Sequence, residues 1–286
     1  MFNVIKSIYL IFAGLVVLFP LLNVVSSSLS EPAAVIGGRV TIFPIGINLE
    51  AYKYIFQSKD LITGFLNTVL YTVTGTIINI TLTMMAAYPL SRKELSGREV
   101  IIAFLFFTMI FEGGMIPTFL VVRDLGMYNT RWAMIIPTTL SVWNVMIAKS
   151  FFQNTFPSEL YEAAEIDGCS ELGIFLKIVL PLSGSIIAVL VLFYAVGHWN
   201  SYFNGLIYIK DKNLQPLQVV LRNILASTQY MSEMVDQMTT EQLNRLSLVE
   251  VMKYAIIVAG NLPVAILYPF IQKHFTKGIF IGSIKG

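Results

Sequence analysis

The sequence predicts an all-α polytopic membrane protein, and three observations lead to this fold class. Of the 286 residues, 56% are hydrophobic and only 13% are charged, whereas a soluble domain is roughly a quarter charged. The mean hydropathy is +0.72. Several stretches also reach the roughly 20 mostly apolar residues that a helix needs to cross a bilayer. They lack the alternation of polar and apolar residues that is typical of strands, so helical spans are predicted.

Six transmembrane helices are predicted within a single transmembrane domain, residues 1–286. The predicted spans are residues 7–29, 63–90, 100–122, 132–150, 178–209 and 251–271. The first apolar run begins just after Lys6, as the apolar part of a secretory signal does. It is longer than that apolar part usually is, and five more spans follow, so we expect it to be retained.

The predicted spans contain few ionisable residues, which are costly in a membrane and often functional there. Only Glu112 and His198 are expected to lie deep. Glu112 lies beside Gly113, Gly114 and Pro117, which are expected to break or kink the third helix. It is interpreted as a carboxylate near the outer end of that span or facing a partner helix, or else as a substrate contact. His198 is interpreted as a packed, hydrogen-bonded imidazole or as a proton relay.

Aromatic and amide side chains cluster in the outer half of the fifth span. Aromatic rings stack on the apolar faces of sugars, and amides exchange hydrogen bonds with hydroxyl groups. The same residue types also form ordinary interfacial belts and helix contacts, so both interpretations stay open. The candidate pore and substrate residues are Trp199, Asn200, Tyr202 and Asn204, with Trp143 and Asn144 as a weaker set in the fourth span.

Motifs for chemistry are missing from the sequence. It contains no phosphate-binding GxxxxGK[ST] loop, no HExxH or GxSxG motif and no paired Cys/His ligands. We therefore expect no catalytic residue, metal site or cofactor in this chain, and any energy for transport must come from another chain or an ion gradient. The net charge of +2 is too small to suggest nucleic acid, and the single cysteine, Cys169, excludes an intrachain disulfide.

Between spans four and five lies a strongly acidic segment, residues 157–177, which we call the acidic bracket. Five acids fall between residues 159 and 171, so this segment is expected in water and against a partner. Ser158 is predicted to cap a first helix, Gly168 to end it, and Ser170 to cap a second one. Acids on one face would meet basic groups of the partner, and apolar side chains would fill a groove on it.

The bracket resembles the EAA loop of bacterial ABC importer permeases. The matching residues are Glu162-Ala163-Ala164, Asp167-Gly168, Phe175, Ile178, Leu180 and Pro181. The chain reads DGC where most of the carbohydrate-uptake branch reads DGA. The tail resembles that of the maltose-type second permease through Pro269, Gln272, Lys273, Phe275, Gly278, Gly282, Lys285 and Gly286. Asn67-Thr68, residues 87–92 and Trp199-Asn200 also resemble this branch, and residues 111–137 resemble a complex-oligosaccharide subgroup.

The resemblance implies a six-helix permease of a type I ABC importer for carbohydrate, with the bracket as its coupling helix. The residues implied to contact the ATPase are Glu159, Glu162, Ala163, Ala164, Asp167, Gly168 and Phe175, together with Gln272, Lys273, Lys285 and Gly286 in the tail. The implied partners are a second homologous permease in a heterodimer, two ATP-binding subunits that hold ATP and Mg, an extracytoplasmic sugar-binding protein, and membrane lipid.

The resemblance also implies an orientation that charge counting supports only weakly. Residues 91–99 contain three basic residues next to a span end, and this favours the cytoplasm for that loop, the bracket and both termini. The location is then the bacterial plasma membrane. The long loops 30–62 and 210–250 are expected outside, as docking sites or plain connectors. Alternative functions left open are a permease for amino acids or phosphate, a stand-alone secondary carrier, and a membrane enzyme.

Overall fold

The structure, a computed structural model, describes residues 2–232, 248–263, 265, 266 and 269. Every regular element in these residues is helical, which confirms the predicted all-α fold class. The α-helices are α1 (Phe2–Ser28), α2 (Pro32–Ile36), α3 (Glu50–Gln57), α4 (Lys59–Ser91), α5 (Arg98–Ile110), α6 (Met115–Asp124), α7 (Val142–Thr155), α8 (Ser158–Ile166), α9 (Glu171–Ile174), α10 (Leu180–Leu182), α11 (Gly184–Trp199), α12 (Tyr202–Tyr208) and α13 (Leu217–Ser232). A further helix, α14, covers residues 248–263. Short 3₁₀ turns cover Arg131–Met134, Ile136–Thr138 and Lys212–Leu214, and a π-helical turn covers Phe175–Val179.

Two helices among the described residues are long and apolar enough to cross a membrane unbroken. They are Val4–Ser28 within α1 and Lys59–Ser91, which is α4. They cover most of the first predicted span and all of the second. The apolar side chains of α1 are largely exposed, as lipid contact requires.

Three other predicted spans are broken rather than straight; the break in the third was expected from its glycines, whereas those in the fourth and fifth were not. α5 and α6 meet at 109° across residues 111–114, where Gly114 adopts a φ of +84° that an α-helix cannot continue. Residues 131–138 form 3₁₀ turns that meet α7 at 50°. In the fifth predicted span, the segment Glu171–Leu182 meets α11 at 78°, and α11 ends at Trp199 before the separate helix α12. For the sixth span, α14 covers residues 251–263 of the predicted 251–271.

The chain divides into two compact units, and the first comprises residues 1–65 and 215–263. In it, the loop after α1 folds back onto the end of that helix. The Asn23 amide donates hydrogen bonds to the carbonyls of Val40 and Thr41, both at 3.0 Å. The Ser30 hydroxyl donates to the Ser26 carbonyl at 2.6 Å and accepts from the Ile45 N–H at 3.0 Å. These bonds satisfy backbone groups that the long loop leaves outside regular structure.

The second unit contains residues 66–214 and holds the main core. Its centre joins α4, α7, the acidic bracket and α11 through fully buried side chains, including Met84, Phe152, Ile174, Val179 and Leu190. The bracket is therefore anchored in the same core as the spans around it. A force applied to the bracket will be carried into those spans because a close-packed core transmits displacement.

Candidate functional site: the acidic bracket and a polar cavity

The first helix of the bracket begins at Ser158, one residue earlier than a Ser158 cap would allow. Pro157 is the N-cap residue, with φ −69° and ψ 153°, and no side chain caps this end. The predicted capping role of Ser158 is wrong because the extended Pro157 already starts the helix at the next residue. Glu159 lies in the first turn, where a carboxylate suits the helix dipole.

The turn between the two bracket helices is a Schellman motif. Gly168 has a φ of +78°, and its N–H donates to the Glu165 carbonyl while the Cys169 N–H donates to the Ala164 carbonyl, both at 3.0 Å. Ser170 then caps α9 by accepting the Gly173 N–H at 3.2 Å. The predicted helix end at Gly168 and cap at Ser170 are confirmed.

The bracket has an inner and an outer face. Tyr161, Ala164 and Phe175 are buried in the core, and the Phe175 ring packs 5.0 Å from the Tyr88 ring, centroid to centroid. The outer face carries the exposed residues Glu159, Glu162, Ala163, Glu165, Ile166, Asp167 and Gly168. Of the seven bracket residues implied to contact an ATPase, five lie on the outer face, while Ala164 and Phe175 hold the bracket in place.

Arg92, just beyond the end of α4, ties that helix to both arms of the bracket. Its Nη2 lies 3.1 Å from Glu165 Oε1 in the first arm and 3.3 Å from Glu171 Oε1 in the second. The guanidinium carbon lies 4.0 Å from the centroid of the Tyr161 ring, a cation–π distance. The Tyr88 hydroxyl donates to Glu171 Oε2 at 2.8 Å. We call these five residues the Arg92 junction.

The junction is partly shielded from water. The Arg92 side chain is only 12% exposed, although its carboxylate partners are 52% and 61% exposed. Burial raises the pKa of the Tyr161 hydroxyl above its ordinary value, and the Arg92 guanidinium acts in the opposite direction. Tyr161 therefore presents a neutral phenol ring to the cation.

A cavity of about 140 Å³ lies farther along α4, between that helix and α11, and we call it the polar cavity after the polar side chains among its lining residues. Its lining residues are Asn79, Thr138, Phe193, Tyr194, Gly197, His198, Ser201 and Asn204. The Asn79 amide donates to the Thr138 carbonyl at 2.9 Å, but its Oδ1 has no hydrogen-bond partner among the described residues. The lining thus offers amides, hydroxyls, the His198 imidazole and the Phe193 ring, and no carboxylate, ammonium or guanidinium.

His198 lies on the cavity wall and is almost fully buried. Its imidazole packs against Gly75, where a Cβ would collide with the ring. The expected packing is observed, but Nε2 has no hydrogen-bond partner among the described residues. Two threonine hydroxyls on α4, those of Thr72 and Thr76, are likewise buried without a partner there.

The candidate pore and substrate residues do not all line the cavity and differ in burial. The lining of the cavity includes Asn204 but none of the other five. Trp199 is buried, Asn200 is exposed just after α11, and Tyr202 begins α12. Trp143 is 62% exposed, while the neighbouring Asn144 is buried.

Two residues of the candidate site, Arg92 and Asn79, are not among the site residues predicted from the sequence. Arg92 entered the sequence analysis as a basic loop residue and as part of the resembling residues 87–92, but not as a site residue, since its partners Glu165 and Glu171 lie more than 70 positions away. Asn79 could have been found from the sequence, because it belongs to a row of polar residues at helical spacing that is buried on α4: Asn67, Thr68, Thr72, Thr76, Asn79 and Thr83.

The tail residues Gln272, Lys273, Lys285 and Gly286 lie outside the described residues. Within the described ranges, no three metal-ligating side chains converge.

An apolar helical body that anchors an exposed acidic bracket is typical of an integral membrane protein. Its family is that of transport permeases. The chain belongs to the binding-protein-dependent transport system inner membrane components, whose profile matches residues 7–281.

Relatives of known name resemble the chain over nearly its whole length. It is 42% identical over 278 residues to the polygalacturonan/rhamnogalacturonan transport system permease protein YtcP of Bacillus subtilis, covering 97% of this chain and 96% of the relative. It is 40% identical over 285 residues to protein LplC of the same organism, covering 100% and 95%. A solved structure, of a bacterial ABC transporter that imports the acidic polysaccharide alginate, matches with a TM-score of 0.84 and 32% identity over 96% of each chain.

Proposed function

We propose that this chain is the transmembrane permease subunit of a binding-protein-dependent ABC importer for an oligosaccharide derived from an acidic polysaccharide. The observation that carries the proposal is the full-length similarity to a permease named for polygalacturonan and rhamnogalacturonan and to an alginate importer. The acidic bracket, packed inward and charged outward, is the structural feature that such a subunit needs.

The outer face of the bracket is the proposed contact with an ATP-binding subunit. Glu162 and Glu159 would pair with basic residues there, and the exposed Ile166, which is 87% accessible, would fill an apolar groove. ATP and Mg bind to that partner, and this chain supplies no catalytic residue. Closure of two ATP-binding subunits would move the bracket and switch the spans between inward- and outward-open states.

The remaining parts of the transporter complete the proposal. A second, homologous permease forms a heterodimer with this chain, and an extracytoplasmic binding protein delivers the sugar. The tail residues Gln272, Lys273, Lys285 and Gly286 are proposed to reach the ATP-binding subunits. The chain then lies in the bacterial plasma membrane with both termini and the bracket in the cytoplasm.

The polar cavity is the proposed part of the sugar path in this chain, together with the aromatic and amide residues near it. Uncharged amides and hydroxyls suit the hydroxyl groups of a sugar because both sides donate and accept hydrogen bonds. The cavity walls supply no cation for a sugar carboxylate. A counter-charge for that group would therefore come from the partner permease or from elsewhere on the path.

The first experiment is purification of the tagged chain from its native host in mild detergent, with mass spectrometry of the proteins that accompany it. Recovery of an ATP-binding subunit and a second six-span permease is expected. Proteoliposomes of that complex should take up oligogalacturonides only when ATP and the binding protein are present. An active chain that purifies alone would favour a stand-alone carrier, and uptake of amino acids or phosphate instead of sugar would refute the substrate class.

A further inference from the structure

The Arg92 junction connects three segments chiefly through the Arg92 side chain, with the Tyr88–Glu171 hydrogen bond as a second link. Arg92 follows α4 directly, Glu165 and Tyr161 belong to α8, and Glu171 belongs to α9. We propose that Arg92 is the positioning residue through which movement of the bracket is passed to the second span. This inference rests on the proposed function, in which the ATPase moves the bracket. Arg92 itself is not proposed to touch the ATPase or the sugar.

The contacts of Arg92 suit this task better than a single ion pair would. An exposed pair contributes little because water screens it and its side chains must be immobilised. Here one guanidinium meets two carboxylates from different helices, lies with its Nε 3.5 Å from Oε2 of a third, that of Glu94, and also stacks on a ring, with its own side chain mostly shielded. The planar fork of arginine can serve several partners at once, whereas the point charge of lysine cannot reproduce that geometry.

The helix that Arg92 follows leads directly to the polar cavity. α4 runs unbroken to Ser91, and its proline, Pro89, falls in the last turn. Asn79 on the cavity wall lies 12 residues before Ser91, which corresponds to about 18 Å along a helix. A shift of the bracket that Arg92 transmits to the end of α4 therefore reaches the wall of the cavity. The core packing and the Tyr88–Glu171 hydrogen bond also join α4 to the bracket, so loss of Arg92 is expected to weaken the transfer of movement rather than abolish it.

The test uses the complete transporter in proteoliposomes and measures ATP hydrolysed per sugar taken up. The variants are Arg92→Ala, Arg92→Lys and Glu165→Gln. The matched control is Lys93→Ala, which removes a neighbouring exposed cation that has no ion partner among the residues that the structure describes. We expect Arg92→Ala to raise the ratio of ATP to sugar about fivefold or more, given the combined loss of ion pairs and ring contact.

Arg92→Lys and Glu165→Gln should give smaller rises, and Lys93→Ala should match the unmodified transporter. A purely structural role would lower hydrolysis and uptake together and leave their ratio unchanged, and that outcome would overturn the inference. If Arg92→Ala does not assemble, the ratio in the two milder variants decides in the same way. Failure of the unmodified complex to take up sugar would instead refute the proposed function, so the two failures are distinguishable.

Discussion

The imidazole of His198 lies against Gly75 so closely that a side chain at position 75 would collide with the ring. This contact joins α4 to α11 at the wall of the polar cavity. It also explains why a glycine, which is unfavourable within a helix, occupies the middle of the second span.

Gly75→Ala is therefore expected to destabilise the protein. The added Cβ would force the buried imidazole or one of the helices to move, at a cost of about 1–3 kcal/mol for overpacking. The measurement is the apparent Tm of the detergent-purified chain. Gly14→Ala is the matched control because a Cβ there meets nothing within 4 Å, so its Tm should be unchanged or higher.

A double variant separates the contact from a general helix effect. Replacement of His198 by Ala removes the ring that the new methyl group would strike. Gly75→Ala should then cost much less in the His198→Ala background, since residues in direct contact do not behave additively. Equal losses of stability in the two backgrounds would show that the packing of these residues is not coupled.

Loss of an amide from the polar cavity should slow transport without preventing assembly. Asn204→Leu removes the amide's NH₂ donor group and its carbonyl acceptor from the lining. Uptake is expected to fall about three- to tenfold, which corresponds to the net free energy of one hydrogen bond. Thr72→Val is the control, because this threonine is buried on α4 outside the lining. Uptake by Asn204→Leu equal to that of the control would remove the cavity from the sugar path.

Reversal of charge on the outer face of the bracket should cut the link to the ATPase. Glu162→Lys is expected to reduce recovery of the ATP-binding subunit at least about tenfold, because loss of one interfacial charge pair typically weakens binding by that factor or more. The exposed side chain makes no core contact, so insertion of the chain should be normal. Glu99→Lys reverses an exposed charge outside the bracket and should retain the subunit. Normal sugar uptake by Glu162→Lys would exclude a coupling role for this residue.

The Schellman turn of the bracket gives a prediction that concerns shape rather than charge. Gly168→Ala places a Cβ in the left-handed conformation at a cost of about 1–2 kcal/mol, which should lower binding of the ATP-binding subunit roughly five- to thirtyfold. Gly168→Asn should bind nearly as well as the unmodified chain because asparagine tolerates this conformation. Equal binding by both variants would show that the turn need not be preserved for docking.

The local signals of the bracket were sufficient to predict most of its structure. Gly168 and Ser170 act through neighbours within four residues, and for that reason their roles were correct from sequence. Ser158 was misplaced because proline and serine both suit a helix start, and the choice depends on the backbone angles of Pro157. The break in the third predicted span was expected from Gly113 and Gly114, but those in the fourth and fifth were not predicted, since an apolar run has the same composition whether it is straight or bent.

The sequence by itself determined that this is an all-α membrane protein and that an acidic bracket lies between its fourth and fifth spans. The first conclusion follows from composition, because long apolar segments partition into the membrane as helices. The second follows from short-range patterns, because acidic residues stay in water and capping residues fix where short helices begin and end. Only the tertiary structure decided that Arg92 meets Glu165 and Glu171, and that Asn79 and His198 share a cavity. Those pairs are separated by more than 70 positions, and such contacts arise from how helices pack, which no local pattern of residues encodes.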